Sequence, residues 1–228
     1  MDNQMVQPCL ILALALIASS ILTWNKRRQQ LERNRARSQA NASVKLNIFP
    51  TSLPENPYQA EVIKNTFKLE RYPNNPTFYC DRGAAYLMLQ KFDDALHDFN
   101  RAVDLKPDYA DAYSNRGLVH YTQGRFEEAA SDYGRAIEIL ATDGVYYLNR
   151  AQAYRRLGKY EHALADLQHT SDLQPNSPDA RKERGLVYYA MGDKAQALVD
   201  LQEYRTMVGY FMTDAEAIKA LMDLESKE

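Results

Sequence analysis

Apolar residues along this chain obey a period of 34. Stepping by 34 from Gly83 lands on Gly117, Ala151 and Gly185, and the same step from Ala95 lands on Ala129, Ala163 and Ala197. Large side chains keep their own places in the period: Tyr86, Tyr154 and Tyr188 after the first small residue, and Phe99, Tyr133, Leu167 and Leu201 after the second. Small residues let paired helices approach closely, and large ones fill the space left beside them. Four repeats are therefore in register, at 76–109, 110–143, 144–177 and 178–211. Each predicts two short amphipathic helices around a turn, as in "SNRGLVHYTQGRFEEAASDYGRAI" at 114–137, and none predicts a strand.

Polar residues share the period. Arg82, Arg116, Arg150 and Arg184 each sit beside the small residue, on the buried side of the first helix, and Asp98, Asp132, Asp166 and Asp200 each follow sixteen residues later. In an antiparallel hairpin, places whose numbers within the repeat have a constant sum face each other. The small eighth and large twenty-fourth places sum to 32, and the seventh and twenty-third, which hold Arg and Asp, to 30, so the two are expected within reach. A guanidinium fork suits both carboxylate oxygens, and its aliphatic stem can lie on apolar neighbours. A structural ion pair inside every repeat is expected; a row of arginines that binds anions is the alternative.

The flanks of the array carry different patterns. Residues 57–75 place Pro73 one period before Pro107, which predicts a half-repeat helix, and residues 212–228 predict a capping helix over the apolar edge of the last repeat, with Thr213 and Glu216 at capping-box spacing. From Met5 to Trp24 the chain runs twenty residues without a charge, enough at 1.5 Å per residue to cross a bilayer core. Residues 1–24 are thus expected to form a transmembrane anchor. Lys26, Arg27, Arg28, Arg33, Arg35 and Arg37 follow at once, which predicts that the array lies on the cytoplasmic side, or the equivalent stromal or cytosolic side of an organelle. A cleaved signal peptide is the weaker reading, since no Lys or Arg precedes the apolar run. Residues 25–56 read as a basic tether broken by Pro50 and Pro54, its cations either a stop-transfer flank or a lipid contact.

With Phe92, Phe126 and Tyr160 opening the second helices, Tyr79, Tyr113 and Tyr147 at the fourth place and Pro107 and Pro175 closing repeats, the sequence resembles the tetratricopeptide repeat (TPR) family over about 60% of its length. It departs from that pattern at Ala141, where a closing proline is usual and Asp143 and Gly144 supply turn chemistry, and at Arg181, Lys194 and Tyr204 in the fourth repeat. The resemblance implies an all-α, right-handed superhelical solenoid of antiparallel helix pairs, here preceded by one transmembrane helix. It also implies a groove, lined by the second, fifth, ninth, twelfth and thirteenth places of the first helices, that binds a protein or peptide client. Among those places, Leu118, Tyr121, Leu148, Gln152, Arg155, Arg156, Leu186 and Tyr189 are the expected contacts. Relatives that clamp chaperone tails use lysines and asparagines; Asn115 or Asn149 match, and the lysines are absent.

Charge and chemistry narrow the function further. The net charge of -2 hides an asymmetry: residues 1–45 hold seven basic residues against Asp2 and Glu32, or +5, which leaves -7 for the rest. An acidic array whose tyrosines follow core spacing is a poor nucleic-acid binder. The four histidines occupy unrelated places, two cysteines are too few for a disulfide framework, and no phosphate loop or nucleophile elbow occurs. No enzyme, cofactor, metal or small-molecule substrate is expected. The layout is similar to that of membrane-anchored TPR proteins that assist assembly of membrane complexes, photosynthetic ones included. A mitochondrial import-type receptor and a permanent subunit of a membrane complex remain as alternatives.

Overall fold

The computed structural model describes residues 56–209 and 212–226, and the anchor and tether expected within residues 1–55 lie outside this range. Among the described residues there are ten helices and no strand: α1 (Pro57–Arg71), α2 (Pro76–Met88), α3 (Phe92–Leu105), α4 (Ala110–Thr122), α5 (Phe126–Ile139), α6 (Gly144–Arg156), α7 (Tyr160–Leu173), α8 (Pro178–Met191), α9 (Lys194–Val208) and α10 (Ala215–Glu225). Helices α2–α3, α4–α5, α6–α7 and α8–α9 form hairpins. Each hairpin packs on the next, second helix against following first helix, and first helices also touch one another.

Local chemistry sets the boundaries. Asn56, Asn75, Asp143, Ser177, Asp193 and Asp214 cap helices by accepting a backbone N–H two or three residues on, and proline occupies the first position of α1, α2 and α8, where its missing N–H costs nothing. Second helices α3, α5 and α7 lack such a cap but carry Asp93, Asp94, Glu127, Glu128 or Glu161 in the first turn, which suits the positive end of the helix dipole. The turn inside each hairpin needs one left-handed residue. Gly124, Gly158 and Gly192 supply it at φ 76°, 71° and 82°, and Gln90 holds the same place in the first repeat at φ 57°. At the irregular start of the third repeat Asp143 takes the capping role, its carboxylate accepting the Val145 N–H at 2.9 Å.

The core follows the period. Ala95, Ala129, Ala163 and Ala197 are fully buried, as are Phe99, Leu167 and Leu201, with Tyr133 close behind. The small eighth places meet the large twenty-fourth ones: a Cβ on Gly83 would lie 2.9 Å from the Phe99 ring, on Gly117 3.0 Å from the Tyr133 ring, and on Gly185 2.8 Å from Leu201 Cγ. Ala151 occupies this place opposite Leu167 in the third repeat, and both are fully buried.

Both ends depart from the repeat for physical reasons. Helix α1 stands where a second helix would, yet one period before Ala95, Asp98, Phe99 and Ala102 it carries Glu61, Lys64, Asn65 and Lys68. These form a polar chain: Lys64 Nζ donates to Glu61 at 2.9 Å, Asn65 Nδ2 to the Glu61 carbonyl at 3.0 Å, and Lys68 Nζ to Asn65 at 3.3 Å. At the other end Tyr204, large where other repeats are small, is buried with Leu186, Ala197 and Leu201 against Ala217, Ala220, Leu221 and Leu224 of α10. The expected capping box does not form: the cap of α10 is Asp214, which accepts the Ala217 N–H at 3.0 Å, and Glu216 is engaged elsewhere.

Candidate functional site

The periodic arginines and aspartates meet in all four repeats. Arg82 Nε and Nη2 donate to Asp98 at 2.7 and 2.8 Å, Arg116 to Asp132 at 2.9 and 2.6 Å, Arg150 to Asp166 at 2.8 and 2.7 Å, and Arg184 to Asp200 at 2.7 and 2.6 Å. The four carboxylates are buried and the guanidiniums partly so. Hydrogen bonds to the carboxylates raise each arginine's pKa above its ordinary value, outweighing the opposing effect of burial. The third donor links neighbouring repeats at the start of the array: Arg82 Nη1 to Thr66 at 3.1 Å and Arg116 Nη1 to Asn100 at 2.8 Å. In the later repeats that place holds Gly134 and Gln168, and Gln168 bonds Asp172 instead. Each guanidinium fork is filled by the aspartate of its own repeat.

The inner places of the first helices divide into two parts. In the first three repeats, the buried Cys80 and Ser114 and the engaged Arg155 apart, they remain accessible and mostly apolar. Met88, Leu118 and Val145 are exposed, at 56%, 39% and 44%, and Tyr121, Leu148 and Gln152 are partly buried beside them. Tyr121 is held edge-on against Phe126, with ring centroids 5.3 Å apart, and Leu148 packs partly on the core of the third repeat. The exposed Arg156 has its guanidinium 5.1 Å from the Phe126 ring centroid. One cation on an apolar strip is what these residues present.

The second part is already occupied. Leu186, expected on the groove surface, is 2% exposed and belongs to the core shared with α10. Arg155, expected as an open cation, lies between two carboxylates: Nε donates to Glu183, and Nη1 and Nη2 donate to Glu216 of α10 at 2.7 and 3.1 Å. Lys182 Nζ lies 3.0 Å from Asp214 and 3.2 Å from Asp179, and the Tyr189 hydroxyl donates to Asp223 at 2.8 Å. The capping helix thus spans the inner face of the third and fourth repeats. Sequence reasoning missed Glu183, Asp214, Glu216 and Asp223 as partners: Glu183 and Glu216 lie 28 and 61 residues from Arg155, Asp214 follows Lys182 by 32 and Asp223 follows Tyr189 by 34, and the four intervals share no common step.

This network makes α10 docking depend on pH. The hydrogen bonds from Arg155 hold Glu216 below the usual carboxylate range. Burial pushes Asp214 up, but the Ala217 N–H and Lys182 more than offset it, so its pKa is lowered. Burial pushes Glu183 up against the pull of Arg155. A lowered folded pKa contributes stability that is complete above the unfolded value and is lost as pH falls through the folded one; Glu183 acts in the opposite sense and takes its proton first. The docked state should therefore persist on acidification to about pH 4.5 and weaken below about pH 4. Methyl resonances of Leu221 and Leu224 followed by NMR report this directly, and docked shifts unchanged at about pH 3 would contradict it.

Among the described residues no group of three or more His, Cys, Asp or Glu is placed to hold a metal ion. Cys80 is buried with Asn115 Nδ2 3.6 Å from its sulfur, and burial raises its thiol pKa. Among the described residues no helix is long and apolar enough to cross a membrane.

Comparison with known proteins agrees with the geometry. Residues 80–144 match the family model described as tetratricopeptide repeat and residues 151–192 one described as TPR repeat. No curated protein sequence matches the chain. Among solved structures, PilW, a widely conserved type IV pilus biogenesis factor, aligns with a TM-score of 0.65 at 23% identity over 75% of this chain and 84% of its own. YrrB, a TPR protein with an unusual peptide-binding site, aligns at 0.56 and 18% identity over 72% and 93%. A thermophilic TPR protein of Thermus thermophilus aligns at 0.58 and 21% identity over 74% and 91%. At these identities the likeness is one of fold. Helical hairpins stacked with a period of 34 residues, small and large residues alternating at their contacts and two family matches along the array make this chain a member of the tetratricopeptide repeat family.

Proposed function

We propose that this chain is a membrane-tethered adaptor that holds a client protein segment on the open inner face of its first three repeats and thereby assists assembly of a membrane complex. The observation that carries the reading is the accessible strip of Met88, Leu118 and Val145 beside Tyr121, Leu148 and Arg156. A TPR scaffold is suited to protein–protein interaction, and aromatic and arginine side chains contribute most often to interface hot spots. The client segment is apolar with an acidic residue placed to meet Arg156. The anchor in this reading is the uncharged run Met5–Trp24, and the cations that follow it favour an array on the cytoplasmic, stromal or cytosolic side. Anchoring raises the effective concentration of the groove for clients in or at the same bilayer.

Photo-cross-linking from a probe at Thr122 of the full-length chain in its native membranes, read by mass spectrometry, tests the groove. Leu118→Ala with Arg156→Ala should lower the client's cross-link yield at least about tenfold, or about 1.4 kcal/mol, with helix content unchanged. Glu127→Ala with Glu128→Ala, on the second helix of the hairpin, should leave it intact. The reverse order of effects moves the site to the outer surface. Protease added to vesicles with the cytoplasmic face outward should degrade the array, and protection there would overturn the tether's orientation.

A further inference from the structure

Helix α10 is bound to the array in the manner of a ligand. Its buried residues Ala217, Ala220, Leu221 and Leu224 stand at i, i+3, i+4 and i+7, the anchor spacing of an amphipathic helix laid in a groove. Three of its polar ties go to first helices, Glu216 to Arg155, Asp214 to Lys182 and Asp223 to the Tyr189 hydroxyl, and one, Glu225 to Arg205, goes to the second helix α9. Arg155 and Lys182 are both partly buried cations, and the buried Glu183 neutralises one of them, so this stretch of groove selects a helix that begins with carboxylates. The Glu216 side chain is 54% exposed, which leaves its seat on Arg155 reachable from solvent. At eleven residues, α10 is too short to persist as a helix by itself.

From these contacts we infer that α10 is a resident competitor: the inner face of the third and fourth repeats takes an acidic amphipathic helix from the client, with two carboxylates ahead of apolar residues at i, i+3, i+4 and i+7, and that helix binds by replacing α10. This deepens the proposed function by extending the groove past its open strip and by gating the extension. An intramolecular occupant acts at an effective concentration in the millimolar range, and the apparent affinity for an outside helix scales with the fraction of molecules in which α10 has left. Clients that offer only an apolar segment are confined to the first three repeats, whereas those that add an acidic helix reach the whole length.

A fluorescent synthetic peptide copying residues 213–226 is the probe, and fluorescence anisotropy with the full-length chain is the measurement. Asp214→Asn with Glu216→Gln in the chain removes two charges from α10 while keeping a side chain that can cap and an unchanged apolar face. This variant should bind the probe at least tenfold more tightly than the parent. A second probe carrying Glu216→Gln should lose at least tenfold in affinity for the variant, which shows that Arg155 has accepted the incoming carboxylate without any change to the protein's core. Equal binding of the probe by parent and variant, or equal binding of the two probes, overturns the inference. So does a concentration-dependent dimer of the variant in sedimentation that excludes the probe, because the occupant would then be a second copy of α10. Leu118→Ala with Arg156→Ala should leave probe affinity unchanged, so failure of the open strip and failure of the α10 seat are separable results.

Discussion

Arg150→Ala is expected to destabilise the array by about 3–5 kcal/mol, because it strands the Asp166 carboxylate in the hairpin without its partner. The loss belongs mostly to the uncompensated charge. Replacing both residues by apolar ones of similar volume, Arg150→Met with Asp166→Leu, should therefore recover most of it. Urea unfolding followed by circular dichroism measures the effect, with the midpoint as the primary readout because stacked repeats need not unfold in one step. Additive losses for Arg150→Ala and Asp166→Ala would show that the two are not coupled. The second repeat supplies an internal contrast. His120 Nε2 lies 3.6 Å from Asp132, whereas in the native chain burial and the cations Arg125 and Arg116 lower its pKa. Without Arg116 the imidazole loses one repelling charge and keeps the attracting aspartate. Arg116→Ala should accordingly cost less at about pH 5 than at about pH 8, since a rise in the histidine's folded pKa adds stability that is complete below the unfolded value and is lost as pH rises through the folded one.

Phe99→Ala should cost about 3–5 kcal/mol, since the ring is fully buried and its removal leaves a cavity against Gly83. The reciprocal change is more instructive. Gly83→Ala would place a methyl group 2.9 Å from the ring, and overpacking of this kind costs about 1–3 kcal/mol. The third repeat already contains the remedy, an alanine at this place facing a leucine. Gly83→Ala with Phe99→Leu should therefore be less destabilising than the two single changes added together, by at least about 0.5 kcal/mol. Thermal unfolding of the four proteins decides it, and a double variant as unstable as the sum would mean that the first hairpin cannot adopt the spacing of the third.

Residue spacing made the repeats readable because each obeys the same local rule. The contact of Gly83 with Phe99 and that of Arg82 with Asp98 both span sixteen residues, so a pattern seen in one repeat could be checked in three others. Pro73 marked α1 in the same way. Contacts made once are different. Arg155 stands at an inner place by period, but its partners Glu183 and Glu216 follow by 28 and 61 residues, and neither interval is a multiple of 34. The same limit explains Leu186, whose burial depends on α10 rather than on its own repeat. At the start of α10 the error was one residue: Asp214 and Thr213 both resemble caps, and Glu216 forms an ion pair where a capping box would have used it locally.

The polar face of α1 sets a boundary condition on assembly. A stack of similar hairpins has no intrinsic length: whatever helix face receives a first helix within a chain could receive one from another chain, and the product would be a filament. Glu61, Lys64, Asn65 and Lys68 oppose that at α1, because a helix arriving at the places that Ala95 and Phe99 fill one period later would have to strip water from two ammonium groups and a carboxylate. Restoring apolar side chains there, with Glu61→Ala and Asn65→Phe, should lower that barrier to growth.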